Sequence, residues 1–169
     1  NRPGASGSIA AASVARQAGD PNTVMLVFDS HATNPPVYPQ LPYDTQRDFT
    51  PIGLIASQPM VLVAGAHTGV KNAEDFIVRV KKSPGKFSYG SSGVGTALHL
   101  AGEMVKESAG AYVVHIPYRG VAPLASELIG GQIEFGVFVL SSGLPHIKSG
   151  KVIALGTTQA QRSAAAPDI

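Results

Sequence analysis

The residues best suited to binding chemistry form a glycine-rich run, Tyr89–Thr96, with the sequence YGSSGVGT. Glycines let the backbone curl so that several N–H groups point at one spot, and the N-terminus of a following helix adds partial positive charge. The Thr96 hydroxyl can add a hydrogen-bond donor. This combination suits an anion. A plain turn whose glycines need positive φ explains the run equally well. The run is neither a P-loop, because no Gly-Lys-Ser/Thr follows, nor a dinucleotide fingerprint, because Leu98 takes the place of the third glycine.

Two other segments carry side chains that can bind a small ligand. Arg119, in the run PYRG at 117–120, can clamp a carboxylate through paired hydrogen bonds, or it can be a solvated surface arginine. Asp29, which opens Asp29-Ser30-His31, can receive a ligand amine or open an Asx turn. Ser141 and Ser142 are first of all candidates for helix N-caps.

The sequence contains no arrangement of residues that is typical of an enzyme active site. No Gly-x-Ser-x-Gly elbow surrounds Ser91 or Ser92. His31 with Asp29 does not by itself make a mechanism. His99 shares a helical face with Thr96, where a packed or cap-bonded histidine is more common than a base. With no cysteine and no histidine pair at zinc-ligand spacing, the sequence predicts no enzyme, no catalytic residue, no metal and no cofactor.

The charge pattern excludes one class of partner. Thirteen Lys and Arg against eleven Asp and Glu give a net charge of +2, and they are spread evenly instead of forming a basic stripe. The chain is therefore not expected to bind nucleic acid. The uncharged stretch at 51–70 is interrupted by Ser57, Gln58, Pro59 and Gly65, so it indicates buried strands rather than a membrane span.

The elements that must position these residues are indicated by apolar runs and by turn signals. The first part predicts a helix at Ser6–Ala18, a doubly buried strand at Val24–Phe28, a loop at Asp29–Asp48, further apolar runs at Ile52–Ala56 and Met60–Ala64, and a linker at Gly65–Gly69. A helix then follows Asn72 and stops at Pro84-Gly85.

From residue 87 onward strands alternate with helices. The strands are predicted at Phe87–Gly90, Tyr112–Ile116, Ile133–Val139 and Val152–Thr157, and the helices between them at Thr96–Ala109, Pro123–Ile129 and Ser142–Lys148. This βαβαβαβ order predicts an α/β domain with a parallel sheet. Ligands of such sheets bind beyond the carboxyl ends of the strands, where the candidate loops lie.

With these motifs the sequence resembles the periplasmic solute-binding proteins of the tripartite tricarboxylate transporter systems, the Bug receptors. The resemblance runs in a shared order along the whole chain. It rests on Asn1–Ala5 (NRPGA), Leu41–Asp44 (LPYD) with Asp48–Pro51 (DFTP), Tyr89–Glu103, His115–Gly120, Leu144–Lys151, Arg162 and Pro167-Asp168.

The resemblance implies a type II periplasmic-binding-protein fold, with two α/β lobes, a cleft between them and two crossing strands as a hinge. It places residues 1–65 in lobe 1, the βαβαβαβ unit at 66–157 in lobe 2, and 158–169 in a segment that returns into lobe 1. It also implies an internal fragment, because family members extend beyond both ends of this chain and carry a signal peptide that is not in the visible sequence.

The implied function is that of a monomeric periplasmic receptor. It captures a small organic carboxylate in the cleft and delivers it to an integral-membrane permease. In the family a Gly-x-Gly-Thr loop binds a ligand carboxylate, which carries over here to Gly93, Gly95 and Thr96. The full candidate set is Asp29, Ser30, His31, Ser92, Gly93, Gly95, Thr96, Tyr118, Arg119, Val139 and Ser141.

Two features favour different ligands. The apolar run Phe138–Leu140 stands where many members have a polar residue, which suits an aromatic or short aliphatic acid, whereas Asp29 suits an amino group. Two other functions stay open. One is the ligand-sensing domain of a LysR-type regulator or a signalling receptor of the same fold. The other is an α/β enzyme that uses the glycine-rich loop for an oxyanion or a phosphate, for which a nucleophile–base pair would be needed.

Overall fold

Helices and strands alternate through most of the protein, which a computed structural model describes at residue 2 and residues 4–169. The part of the NRPGA stretch at residues 1 and 3 lies outside the described residues. The helices are α1 (Ser8–Ala15), α2 (Ser30–Val37), α3 (Ala73–Lys82), α4 (Ala97–Ala109), α5 (Val121–Ile129) and α6 (Leu140–Lys148). The strands are β1 (Met60–Gly65), β2 (Ser88–Ser91), β3 (Val114–Pro117), β4 (Phe135–Val139) and β5 (Val152–Thr157).

The five strands form one mixed sheet in the order β3-β2-β4-β1-β5. β2 pairs in parallel with β3 and β4, whereas β1 is antiparallel to both of its neighbours, β4 and β5. The α/β class is thus confirmed, but the prediction of a purely parallel sheet is wrong. The βα alternation sets the common direction of β2 to β5, and it does not show that β1 enters the sheet in the opposite direction between β4 and β5. The division at residues 65 and 157 stays a prediction.

The sheet is covered by helices on both faces because its central strands alternate between two cores. On β4, Phe135 and Val137 pack with Phe76 and Val80 of α3 and with Leu98 of α4. The next residue along β4, Phe138, belongs to the opposite core with α5 residues Leu124 and Leu128. All of these side chains are buried. The apolar runs at β1 and β4 are thus strands covered on both faces.

The helix boundaries of this unit follow their capping residues. The Asn72 side chain accepts a hydrogen bond from the Asp75 N–H at 2.9 Å and so begins α3, as predicted. Gly110 ends α4 with a φ of 58°, a conformation that glycine adopts without strain. α6 is different, because its N-cap is Val139 and not one of the predicted serines, and the helix begins at Leu140.

The predictions for residues before β1 are less successful. Val24–Phe28 and Ile52–Ala56 lie in no strand, and their large side chains are exposed, with Phe28 at 69% and Ile52 at 88%. A strand needs a neighbour for its N–H and C=O groups, and none pairs with these segments within the described residues. The predicted loop after Asp29 contains α2, and the helix predicted from Ser6 covers only Ser8–Ala15. No helix in the described part of the chain has the length and apolar character that a membrane crossing needs.

The close approach of α4 to β2 depends on Gly102. A Cβ placed on this glycine would lie 2.2 Å from Cε2 of the buried Tyr89 ring. We expect Gly102→Ala to lower the free energy of unfolding by about 1–3 kcal/mol, since overpacking outweighs the better helix propensity of alanine. Urea unfolding of the full-length protein measures this loss. Gly53→Ala, where a Cβ meets nothing within 4 Å, should change stability by less than about 0.5 kcal/mol. Equal stability of both variants would contradict the packing described here.

Candidate anion-binding site

The candidate loops share one edge of the sheet. Because β2, β3 and β4 run in the same direction, their carboxyl ends at Ser91, Pro117 and Val139 lie on the same side. The structure therefore places the segments that follow these strands along one edge, and with them the predicted residues Ser92, Gly93, Gly95, Thr96, Tyr118, Arg119, Val139 and Ser141. Of these, Arg119 and Ser141 are exposed, whereas Tyr118 and Val139 are half-buried.

Three helix N-termini, which carry partial positive charge, lie at this edge. α4, α5 and α6 begin there, and none of them has an acidic residue in its first turn. α3, which follows β1 instead, carries Glu74 and Asp75 in its first turn. The segments 91–96, 117–120 and 139–142 contain no Asp or Glu, and Arg119 is their one charged residue. The helix dipoles at this edge are thus not neutralised by neighbouring carboxylates, which favours the binding of an anion.

The glycine-rich loop has a conformation that only glycine tolerates. Gly93 has a φ of 140° and Gly95 a φ of 77°. A Cβ on Gly95 would also lie 2.8 Å from Cγ1 of Val37 on α2. Both glycine N–H groups are used within the protein: Gly93 donates to Ser91 Oγ at 3.3 Å and Gly95 to His99 Nδ1 at 3.1 Å. The N–H groups of these two glycines therefore shape the loop and are not free for a ligand.

Thr96 has a structural role that the sequence interpretation did not foresee. Its hydroxyl donates to the Gly93 carbonyl at 2.8 Å and accepts from the His99 N–H at 3.3 Å, so the side chain is the N-cap of α4. It is buried. The expected donation of its proton to an anion is not seen in this structure. The first N–H groups of a helix have no intrahelical acceptor, so those of Ala97 and Leu98 are the donors at this position.

The Asp29-Ser30-His31 segment begins α2. The Asp29 carboxylate accepts a hydrogen bond from the Ser30 N–H at 3.0 Å, so Asp29 is the N-cap of α2 and does not form the predicted Asx turn, and its amine-binding role stays a prediction. His31 stacks on Tyr43 and packs edge-on against Phe49, with ring centroids 6.2 and 4.9 Å away. Burial lowers the pKa of His31. This histidine is a packing residue of the first part of the chain.

Three side chains that the sequence did not single out hold the outer side of the glycine-rich loop. Thr33 donates to the Gly95 carbonyl at 2.7 Å, and Tyr38 donates to the Val94 carbonyl at 3.2 Å. The Ser6 hydroxyl donates to the same Val94 carbonyl. These contacts join residues 56 to 88 positions apart, and no local pattern in the sequence predicts them.

Behind the loop lies a network of polar side chains. The rings of His99 and His115 stack with their centroids 4.0 Å apart, and His115 Nε2 lies 2.7 Å from Ser91 Oγ. Next to them the Glu103 carboxylate accepts hydrogen bonds from Tyr89 Oη at 2.6 Å and from Lys106 Nζ at 2.8 Å. Burial and the neighbouring His99 lower the pKa of His115 to about 4, and burial also lowers the pKa of His99. Burial would raise the pKa of Glu103, but the hydrogen bonds from Lys106 and Tyr89 outweigh it and lower that pKa.

The α/β fold, with its sheet covered by helices on both faces, matches solved structures of periplasmic binding proteins. The family model of the tripartite tricarboxylate transporter family receptors matches residues 1–169, and the chain belongs to this family. Members of such a receptor family are not enzymes, in agreement with the prediction from the sequence.

The relatives include solved periplasmic proteins. The chain is 32% identical over 169 residues to the UPF0065 protein in the tcbD-tcbE intergenic region of Pseudomonas sp. strain P51, which covers 100% of this chain and 50% of that protein. The structure of periplasmic binding protein BugD is 33% identical and superposes with a TM-score of 0.94 over 100% of this chain and 56% of BugD. The structure of R. palustris Rpa4515 with adipate is 31% identical, with a TM-score of 0.86 over 96% of this chain and 55% of that one. The chain thus spans about half the length of the relatives it matches.

The capping role of Thr96 can be tested without any ligand. Thr96→Val keeps the shape of the side chain and removes the hydrogen bonds of the hydroxyl to Gly93 and His99 and a weaker one from Ser92. We expect the free energy of unfolding to fall by about 1 kcal/mol, the usual cost of losing an N-cap. Thr96→Ser keeps the hydroxyl and should retain most of the stability. Urea unfolding of the two variants measures the difference, and an unchanged stability of Thr96→Val would argue against the cap.

The lowered pKa of His115 predicts a pH dependence of stability. In the unfolded chain a histidine takes up a proton near pH 6.5, whereas folded His115 does so only near pH 4. Between these values the unfolded state binds more protons, so the free energy of unfolding should fall as the pH is lowered from about 6.5 to about 4. Urea unfolding across this range should show a shallower fall for His115→Gln, whose side chain can still meet Ser91. His146→Gln controls for the removal of a histidine as such. Parallel pH curves for wild type and His115→Gln would contradict the burial of this imidazole.

Proposed function

We propose that this chain is part of a periplasmic receptor that captures a small organic carboxylate and delivers it to an integral-membrane permease. The carboxylate binds at the edge of the sheet where α4, α5 and α6 begin. This edge forms one wall of a cleft between two lobes, which close about two crossing strands. The receptor acts as a monomer.

The observation that supports this proposal is the absence of acidic residues from the anion-favouring edge. Three helix N-termini and Arg119 contribute positive charge or partial charge there, and no Asp or Glu lies in the segments 91–96, 117–120 and 139–142. Charge-assisted hydrogen bonds to backbone N–H groups are shorter and stronger than neutral ones. A carboxylate can accept such bonds from the first turn of α4 while Arg119 approaches from the next loop.

The class of carboxylate follows from the apolar side of the same edge. Val139, the last residue of β4, is half-buried, so the end of this strand presents hydrocarbon and not a second charge. Adipate, which the relative Rpa4515 holds, joins its two carboxylates by an aliphatic chain. An aliphatic or aromatic acid of this kind suits the site better than an amino acid, since the Asp29 carboxylate already caps α2.

Neither alternative function has comparable support. A match of the receptor family over residues 1–169 favours a transport receptor over a LysR-type sensing domain. An enzyme needs an accessible nucleophile beside a base. Ser91 and His115 are in contact, but Ser91 is 0% exposed and its hydroxyl lies against the Gly93 backbone. A substrate at the edge of the sheet cannot reach this hydroxyl.

A charge placed in the glycine-rich loop tests the proposal. Val94 is 42% exposed at the tip of the loop, so it accepts a polar side chain without repacking. We expect Val94→Glu to weaken adipate binding at least about tenfold because of like-charge repulsion at the site. Val94→Gln introduces a side chain of the same shape as glutamate without the charge, and its affinity for adipate should stay within about threefold of wild type.

Isothermal titration calorimetry of the full-length protein measures both affinities. Adipate, benzoate and glutamate together form a panel of an aliphatic, an aromatic and an amino-acid carboxylate. Binding of none of the three by wild type, or equal losses in the Glu and Gln variants, would overturn the anion site.

A further inference from the structure

The proposed function assigns no role to His99 and His115, whose rings stack behind the glycine-rich loop. The contacts of His99 point to one. We propose that His99, as a neutral imidazole with its proton on Nε2, is a positioning residue that holds Gly95 in the geometry in which the loop binds a carboxylate. The inference rests on the proposed function and extends it from the binding edge to the residues that shape it.

The tautomer of His99 follows from its hydrogen bond. The Gly95 N–H lies 3.1 Å from His99 Nδ1, and a backbone N–H can only donate. Nδ1 must therefore carry its lone pair, and the proton of the neutral ring is on Nε2. That nitrogen lies 3.8 Å from Glu103 Oε1, so the N–H dipole is directed toward a negative charge. A second proton on Nδ1 would place two hydrogens against each other and break the bond to Gly95.

Gly95 is bound directly to one of the two imidazoles, and Gly93 is linked to the other through Ser91. Gly95 is bound to His99 directly. Gly93 donates to Ser91 Oγ at 3.3 Å, and this hydroxyl lies 2.7 Å from Nε2 of His115. The two rings stack with an interplanar angle of 18°, so the position of each supports that of the other. With the N–H groups of Gly93 and Gly95 turned toward the histidines, the loop is held while the first turn of α4 stays available for an anion.

Burial keeps the neutral form of His99 stable, although the nearby Glu103 carboxylate favours the protonated form and Lys106 opposes it. Its own helix contributes Glu103 and Lys106, β2 contributes Tyr89, and β3 contributes His115. Lys106 and Tyr89 both donate to Glu103, which therefore has less negative charge to offer a protonated His99. A positive charge on His99 would also face His115 at stacking distance. Burial lowers the pKa of both histidines, which acts in the same direction.

Two substitutions distinguish the hydrogen-bond acceptor of His99 from the volume of its side chain. His99→Asn places Oδ1 near the position of Nδ1 and keeps an acceptor for Gly95, whereas His99→Leu keeps similar volume and removes it. We expect adipate affinity to fall about tenfold in His99→Leu, the loss of roughly one hydrogen bond at 1.4 kcal/mol per tenfold. In His99→Asn it should stay within about threefold of wild type.

The Gly95 amide supplies a readout that needs no ligand. Val94-Gly95 is the one Val-Gly pair in the 169 residues, so labelling the full-length protein with carbonyl-13C valine and 15N glycine selects its amide signal in this chain. In wild type this signal should shift with pH, with a midpoint below 6.5, as His99 takes up a proton. This transition should be lost in both variants, in which only the protonation of His115 near pH 4 remains beside the loop. Amide hydrogen exchange of Gly95 should be about tenfold faster or more in His99→Leu than in wild type or His99→Asn.

The outcomes distinguish this inference from the function on which it rests. If wild type binds adipate and His99→Leu binds it equally well, the positioning role is wrong and the anion site stands. If wild type binds none of the carboxylates in the panel, the proposed function fails and the positioning role fails with it. Should His99→Leu not fold, exchange of the Gly95 amide in wild type as fast as that of an unprotected amide would still overturn the inference, because the hydrogen bond to His99 would then be absent.

Discussion

The common direction of β2, β3 and β4 is the constraint on which the rest of the candidate site depends. Each of these strands is followed directly by a helix, so a parallel arrangement brings three helix N-termini to one edge of the sheet. An antiparallel pairing would send alternate helices to the opposite edge and divide the positive ends between them. The chain adds to this arrangement by keeping acidic residues away from the same turns, while α3 carries two of them.

The glycine-rich loop is where separate parts of the chain converge. On one side Thr33, within α2, and Tyr38, directly after it, hold its carbonyl groups. On the other side Ser91 and His99 hold its N–H groups. Gly95 admits Val37 at a distance that no Cβ allows, so α2 packs against the loop itself. A loop restrained on both sides loses little conformational freedom when it binds a ligand, which is the physical advantage of preorganisation.

The role of His99 and His115 is visible in the fold but not in the sequence. In the sequence they are dispersed, and His99 reads as a packed or cap-bonded residue. In the fold His99 and His115 stack beneath the loop, and their hydrogen bonds with Gly95 and Ser91 are polar contacts at the boundary between the core and the binding edge. Neutral imidazoles suit this position because they supply acceptors without placing a charge behind an anion site.

The sequence by itself determined the α/β class, the family, and the βα alternation from β2 to β5. Local signals suffice there: apolar runs of strand length, the Asn72 cap, and Gly110 at the end of α4 act between neighbouring residues. It also placed the glycine-rich loop between β2 and α4, whereas Arg119 as a ligand residue stays a prediction. Only the tertiary structure decided that β1 runs antiparallel between β4 and β5, that the apolar runs at Val24–Phe28 and Ile52–Ala56 form no strand, and that Thr96 caps α4. Strand direction, strand pairing and the partner of a hydroxyl depend on groups that are distant in the chain, so no local pattern specifies them.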